Sequence, residues 1–260
     1  MSNWTYEETV IAFNAYCKIP FKSSSKNHPM VKEYSRIIGR TPSALNMKIG
    51  NLGRLDPKLK EKGIVGLSHG AKLEEIVWEE FYRNPTEFAY QSEILVKQYA
   101  ARCKQQLDAS DTLQLPEGTE RETIVKERVN QNFFRAAVLS SYDFKCCISG
   151  IRNNSLLEAC HIIDWAEDEK NRTNPENGLC LTPTLHKAYD KDLLAITPDY
   201  KVIVSPLLLK NAAGTVYKQF LEEINNFTIC LPDRFLPNKE FLAMRYEQYL
   251  DYQNSHKRNR

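Results

Sequence analysis

The 260-residue chain contains no apolar run of about 18 residues, the length a membrane-spanning helix needs, so no membrane span is expected. Its first residues, MSNWTYEETV, lack the basic start and apolar stretch of a secretory signal. No CxxC pair occurs, and the adjacent Cys146 and Cys147 are too close for a zinc knuckle, which excludes the usual structural zinc sites. Seven cysteines, an odd number, with no export signal argue against a disulfide framework and for reduced thiols in a cytoplasm. Cys147, Cys180 and Cys230 then read as core residues. No internal repeat or low-complexity tract is present, which excludes a repeat array. What remains is 42% hydrophobic and 26% charged, an ordinary globular composition. The length suits one large or two modest domains.

The net charge of +2 conceals an uneven distribution. Residues 1–66 hold eleven Lys/Arg against five Asp/Glu, a net of +6, and residues 67–132 hold eight against twelve, a net of −4. A basic amino-terminal third is what a local polyanion contact needs, although solvated surface charge gives the same count.

Three short helices are expected in that basic third. Thr5 and Glu8 form a capping box ahead of YEETVIAFNAYCKI, where Tyr6, Val10, Phe13 and Cys17 share one stripe. Pro29 opens a second helix that stops at Gly39. Thr41-Pro42 opens a third, with Leu45, Ile49 and Leu52 inward and Asn46, Lys48, Gly50 and Asn51 outward. Helix, tight GRT turn and polar-faced helix outline a helix-turn-helix in which Asn46, Lys48, Asn51 and Arg54 would contact DNA. A plain three-helix bundle without a ligand is the alternative.

Residues 55–70 read as a turn-rich linker, followed by two helices, KLEEIVWEEFYR and EFAYQSEILVKQYAARCKQQL. The polar stretch 108–120 is the best candidate boundary, giving a DNA-binding domain at 1–66, a helical linker region at 67–118 and a further domain at 119–260. That last domain opens on an amphipathic helix with Ile124, Val129, Phe133, Ala137 and Val138 on its apolar side. The aromatic stretch 235–252, with Leu242, Tyr246 and Tyr249 at helical spacing, reads as core packing, and HKRNR as a basic tail.

Within the carboxy-terminal part, LLEACHIID reads as a strand carrying His161. A polar loop ending in Asn177 and Gly178 follows, then a second strand LCLT, then the helix PTLHKAYD. On that helix His186 and Asp190 are four residues apart and therefore neighbours on one face, a spacing that can grip one metal ion.

Strand with histidine, loop with asparagine, strand, helix with histidine: this order resembles the HNH endonuclease superfamily, whose core is a ββα-metal motif. His161, Asn177 and His186 fall in the places of its three signature letters. FFRAAVLSSYDFKCCISG and the stretch FTICLPDRFLPNKEFLAMRYEQYL also resemble one bacterial branch, in which a CxxxG-type turn replaces zinc-binding cysteine pairs. The similarity spans residues 121–252, and the amino-terminal part resembles a segment found ahead of this nuclease in bacterial proteins. The implied fold is α+β: a mainly helical amino-terminal DNA-binding part followed by a ββα-metal nuclease domain.

The resemblance implies that His161 is the general base, that Asn177 fastens the loop so that His161 stays aimed, and that His186 and Asp190 hold one divalent ion. Mg²⁺ is the expected ion, with Mn²⁺, Ni²⁺ and Zn²⁺ open. Arg172 and Lys187 would clamp phosphate. Many superfamily members carry an Asp or His just before the base, where this chain has Cys160. Cys160 is expected to pack as a small hydrophobe with water completing the site, and Glu158 is the less favoured substitute ligand. The implied function is a metal-dependent DNA endonuclease of restriction or defence, dimeric if it cuts both strands. A homing or mobile-element nuclease, a toxin held by an immunity partner and an inactive DNA-binding regulator are the rivals.

Overall fold

A computed structural model describes residues 3–64, 72–105 and 119–258. The chain begins with α1 (Tyr6–Lys18), and its capping box is formed: Thr5 Oγ1 accepts from the Glu8 amide at 3.2 Å, and Glu8 Oε2 accepts from the Thr5 amide at 2.9 Å. Val10, Phe13 and Cys17 are buried, but so is every residue from Thr9 to Cys17. The helix is central rather than one-sided. Tyr6 stays 43% exposed and donates its hydroxyl to Glu80 at 2.5 Å. α2 (Pro29–Ile37) stops at Gly39, whose φ of +68° suits a residue without a Cβ. α3 (Pro42–Gly53) starts at Thr41, whose Oγ1 accepts from the Ala44 amide at 3.2 Å.

Leu45, Ile49 and Leu52 of α3 point into the core as expected, but Lys48 does not face outward. It is 5% exposed, with Nζ 2.7 Å from Oε1 of the fully buried Glu74. Glu74 lies on α5 (Lys72–Arg83), which packs against α3 after the short α4 (Pro57–Glu61) inside the expected linker. The same acidic turn takes Arg54, 3.0 Å from Glu75 and 3.6 Å from Glu74, and Asn51 Nδ2, 3.5 Å from Glu74 Oε1. Asn46 accepts from Ser24 Oγ at 2.8 Å. The positive first segment and the negative second one are thus partly joined within the chain: a buried lysine needs a paired carboxylate, and α5 supplies it. Residues 65–71, the rest of that linker, and 106–118, most of the expected boundary, lie outside the described residues.

α6 (Pro85–Gln105) runs beside α1, and α7 (Thr119–Ser141) packs against both. α7 belongs to two interiors. Phe133 and Ala137 join the core around α1, whereas Phe134 and Val138 join the core of the carboxy-terminal part. Val129 is half-buried, and the side chain of Ile124 lies outside the described residues. The two interiors are also tied by Arg234, which has no exposed surface. Its guanidinium donates to the carbonyls of Tyr16, Cys17 and Ile19 and to Ser140 Oγ, so it satisfies the carbonyl end of α1 from the far end of the chain.

Next come β1 (Glu158–His161) and β2 (Gly178–Leu181), antiparallel, with His161 paired to Gly178, and then α8 (Pro183–Asp190). β1 covers only the middle of the expected apolar run, and Leu156 ahead of it is 47% exposed. α7 lies so close behind the strands that a Cβ on Gly178 would sit 2.3 Å from Val138 Cγ2. Only glycine allows that approach. A second antiparallel pair, β3 (Leu194–Ile196) with β4 (Val202–Val204), had no counterpart in the sequence reading. α9 (Pro206–Asn211), α10 (Val216–Ile224) and α11 (Lys239–Arg258) follow. Leu242 and Tyr249 of α11 are buried as expected; Tyr246 is half-buried and stacks on Tyr249 at 5.9 Å. All seven cysteines are free thiols. Cys147 and Cys180 are core residues, but Cys230 is only half-buried, near Lys145. No described helix is long and apolar enough to cross a membrane.

Candidate active site

The strand pair, the intervening loop and α8 bring His161 and His186 to one cavity of about 400 Å³, open to solvent. α7 supplies its back wall through Gln131, Phe134 and Arg135. The Phe134 ring lies flat against the His161 ring, centroids 3.7 Å apart and planes 11° apart, and Trp165 meets His161 edge-on at 5.6 Å. His161 therefore has almost no rotational freedom.

Its hydrogen bonding sets the tautomer. Nε2 lies 2.8 Å from the carbonyl oxygen of Arg172. A carbonyl only accepts, so Nε2 carries the proton and Nδ1 keeps a lone pair. Burial pushes the pKa below the usual imidazole value, with the Arg172 carbonyl acting in the opposite direction. The neutral, proton-accepting form is favoured.

Asn177, 1% exposed, holds the loop to the end of the strand. Its Nδ2 donates to the Ile163 carbonyl at 3.1 Å and its Oδ1 accepts from the Ile163 amide at 2.8 Å. The turn before it is closed by Asn174, whose Oδ1 accepts from the Glu176 amide at 3.1 Å.

On α8, His186 stands between two carboxylates. Nδ1 is 2.6 Å from Glu158 Oε2 and Nε2 is 3.5 Å from Asp190 Oδ1. A neutral ring that donates from Nδ1 turns the Nε2 lone pair towards the Asp190 carboxylate, an arrangement that calls for a cation between them. Sγ of Cys160 completes a trio whose ligand atoms lie within 4.8 Å of one another. Cys160 is fully buried, its thiol donates to the His161 carbonyl at 3.4 Å, and burial holds its pKa well above the ordinary thiol range. The donor set thus fits a divalent ion on His186 and Asp190, with Cys160 a neutral neighbour.

Lys187 is exposed beside His186. Arg172 is committed to the loop: Nε donates to the Trp165 carbonyl at 2.6 Å and the guanidinium lies over the Trp165 ring. Asn46, Lys48, Asn51 and Arg54 line no part of the cavity. Sequence reasoning missed Phe134, Trp165 and Arg135, and it weighed Glu158 only as a less favoured substitute ligand, not as a partner of His186. Arg135 is exposed and spends one N–H on the Leu157 carbonyl at 2.7 Å. Its place on α7 carries no signal until the helix is docked on the strands.

Two short antiparallel strands and a helix, with two histidines lining one cavity and a loop asparagine behind them, form the ββα arrangement that the resemblance implied. Residues 146–197 match the HNH endonuclease family model, so this segment is similar to the HNH endonucleases. No curated protein matches the chain.

Proposed function

We propose that the protein is a metal-dependent DNA endonuclease that hydrolyses one phosphodiester bond per visit, with His161 as general base. The observation that carries this reading is the fixed tautomer of His161, whose Nδ1 lone pair is kept available at the cavity by the Arg172 carbonyl on the opposite nitrogen. Nδ1 takes a proton from water, the resulting hydroxide attacks phosphorus in line, and the P–O3′ bond breaks as the leaving oxygen takes a proton from solvent, giving a 5′-phosphate and a 3′-hydroxyl. His186 and Asp190 would hold one divalent cation, which supplies Lewis acidity at the phosphate and the leaving oxygen. Glu158 orients His186 by accepting from Nδ1, and a protonated Cys160 would take no part in holding the ion. Arg135, on the cavity wall, and Lys187, exposed on α8 next to His186, offer positive charge to phosphates.

DNA as the substrate, and restriction or defence as the setting, are supported by the resemblance to the bacterial HNH branch. One such site nicks one strand, so cutting a duplex requires two molecules or two encounters. The test is nicking of supercoiled plasmid with Mg²⁺, Mn²⁺, Ni²⁺ or Zn²⁺, each against excess chelator. Ion-dependent nicking with 5′-phosphate ends is the expected result. No nicking with any of the four ions, or nicking indifferent to chelator, overturns the reading.

A further inference from the structure

A second cavity of about 430 Å³ adjoins the first, and Trp165 lines both. It is built jointly by the start of α6, by α7 and by the nuclease loop, with Asn84, Glu87, Lys126, Asn130 and Trp165 on its walls. Thr86 closes the seam between the two parts of the chain, its hydroxyl hydrogen-bonded to the Glu169 and Lys170 carbonyls at 2.8 and 2.9 Å. The volume falls in the range of small-molecule pockets.

Asn130 is the unexplained group. It is 3% exposed, lines the cavity, and its Oδ1 has no hydrogen-bond partner among the described residues. A buried amide oxygen without a partner costs stability, and a donor supplied by a ligand would relieve that cost. The charges around it balance: Glu87, Glu127 and Glu169 face Lys126, Lys170 and Arg172. Lys126 is paired with Glu87 at 2.7 Å and Arg172 with Glu169 at 3.4 Å. Such a wall offers an anion no net attraction. It suits a flat neutral group with donors and acceptors on its edge and an aromatic face. Trp165 supplies the aromatic surface, which the Arg172 guanidinium covers in part at 5.1 Å from the ring centroid, with its ring 5.6 Å from that of His161.

We propose that this cavity takes an unstacked nucleobase next to the bond being cut, stacked on Trp165 and read along its edge by Asn130. The inference rests on the nuclease reading above and adds its substrate preference. The helical amino-terminal part contributes through the wall of this pocket rather than through the polar face of α3. An asparagine amide matches the adjacent donor and acceptor of adenine, so adenine is the preferred base.

The test uses the full chain and two readouts. The first is sequencing of plasmid nick ends: wild type should favour adenine at one position beside the cut, Asn130→Ala should flatten that preference, and Asn130→Asp should move it towards cytosine. The second needs no metal: anisotropy with labelled duplexes in chelator, fully paired or with one central mismatch opposite adenine. A mismatch lowers the cost of unstacking, so wild type should bind it about tenfold tighter, and Asn130→Ala should lose that gain. Alanine removes the orphan oxygen and favours the helix, so the melting temperature should not fall. Plasmid nicking with an adenine preference untouched by Asn130→Ala overturns the pocket and leaves the nuclease reading standing. A mismatch preference that depends on Asn130, without nicking, overturns the nuclease reading and keeps the pocket. Absence of nicking together with no Asn130-dependent mismatch preference overturns both.

Discussion

Asn177 and Ile163 exchange two hydrogen bonds, the asparagine side chain pairing with both main-chain groups of the isoleucine at 2.8 and 3.1 Å. The side-chain amide imitates a strand neighbour and continues the β1–β2 ladder beyond His161, where the loop would otherwise leave the backbone unpaired. Replacing it with Asp turns the donating nitrogen into an oxygen facing the Ile163 carbonyl. Asn177→Asp should lower the nicking rate about a hundredfold through misplacement of the base, with DNA affinity unchanged. A rate within a few fold of wild type would show that the loop holds without this clip.

His161→Ala removes the proton acceptor, together with the stack on Phe134 and the bond to the Arg172 carbonyl. The nicking rate should fall by about 10²–10⁴, while binding of DNA, measured by anisotropy, and of the ion, by calorimetry, persists. Activity within about tenfold of wild type would assign the base elsewhere.

Glu158→Ala should weaken the ion's affinity by about 10–100-fold, the usual effect of losing the carboxylate behind a ligating histidine. Asp190→Ala should weaken it further, with partial recovery at high metal concentration. Glu158→Gln keeps an acceptor for Nδ1 and should recover much of the loss. An unchanged calorimetric titration for Glu158→Ala would separate that residue from the metal site.

Glu74→Ala leaves the buried Lys48 ammonium without its partner. The cost should be about 3–5 kcal/mol, read from denaturant unfolding. Adding Lys48→Met should restore most of it. If Glu74→Ala is neutral while DNA binding tightens, α3 presents Lys48 outward after all.

Glu176 titrates in the other direction from most carboxylates. Burial raises its pKa, the Tyr82 hydroxyl at 2.7 Å opposes this, and the Asp56 charge adds to it. A folded-state pKa above the unfolded one means the native state binds the proton more tightly, so this group favours folding at acidic pH and opposes it as pH rises through its titration range. Glu176→Gln, still able to accept from Tyr82, should raise the melting temperature at pH 8. The gain should shrink as the pH falls below the ordinary glutamate pKa. A gain independent of pH would remove the charge from the explanation.

Local signals that act within a few residues were visible in the chain: the Thr5–Glu8 box, the Thr41-Pro42 start, the halt at Gly39, and the order of His161, Asn177 and His186 along the ββα segment. Signals that depend on distant neighbours were not. Lys48 looked solvent-facing because its partner Glu74 is 26 positions away on another helix. Glu158 looked like a spare ligand because its bond to His186 forms only when α8 docks on β1. Arg234 gave no hint that it would satisfy carbonyls more than two hundred residues upstream.

With Phe133 in one interior and Phe134 in the other, α7 is a shared wall, and neither half of the molecule owns it. Anyone transplanting the cutting module onto a different recognition unit inherits a problem of carpentry. Leaving the rod behind strips the catalytic face of its backing, and taking it along exposes a greasy side that must find a new tenant.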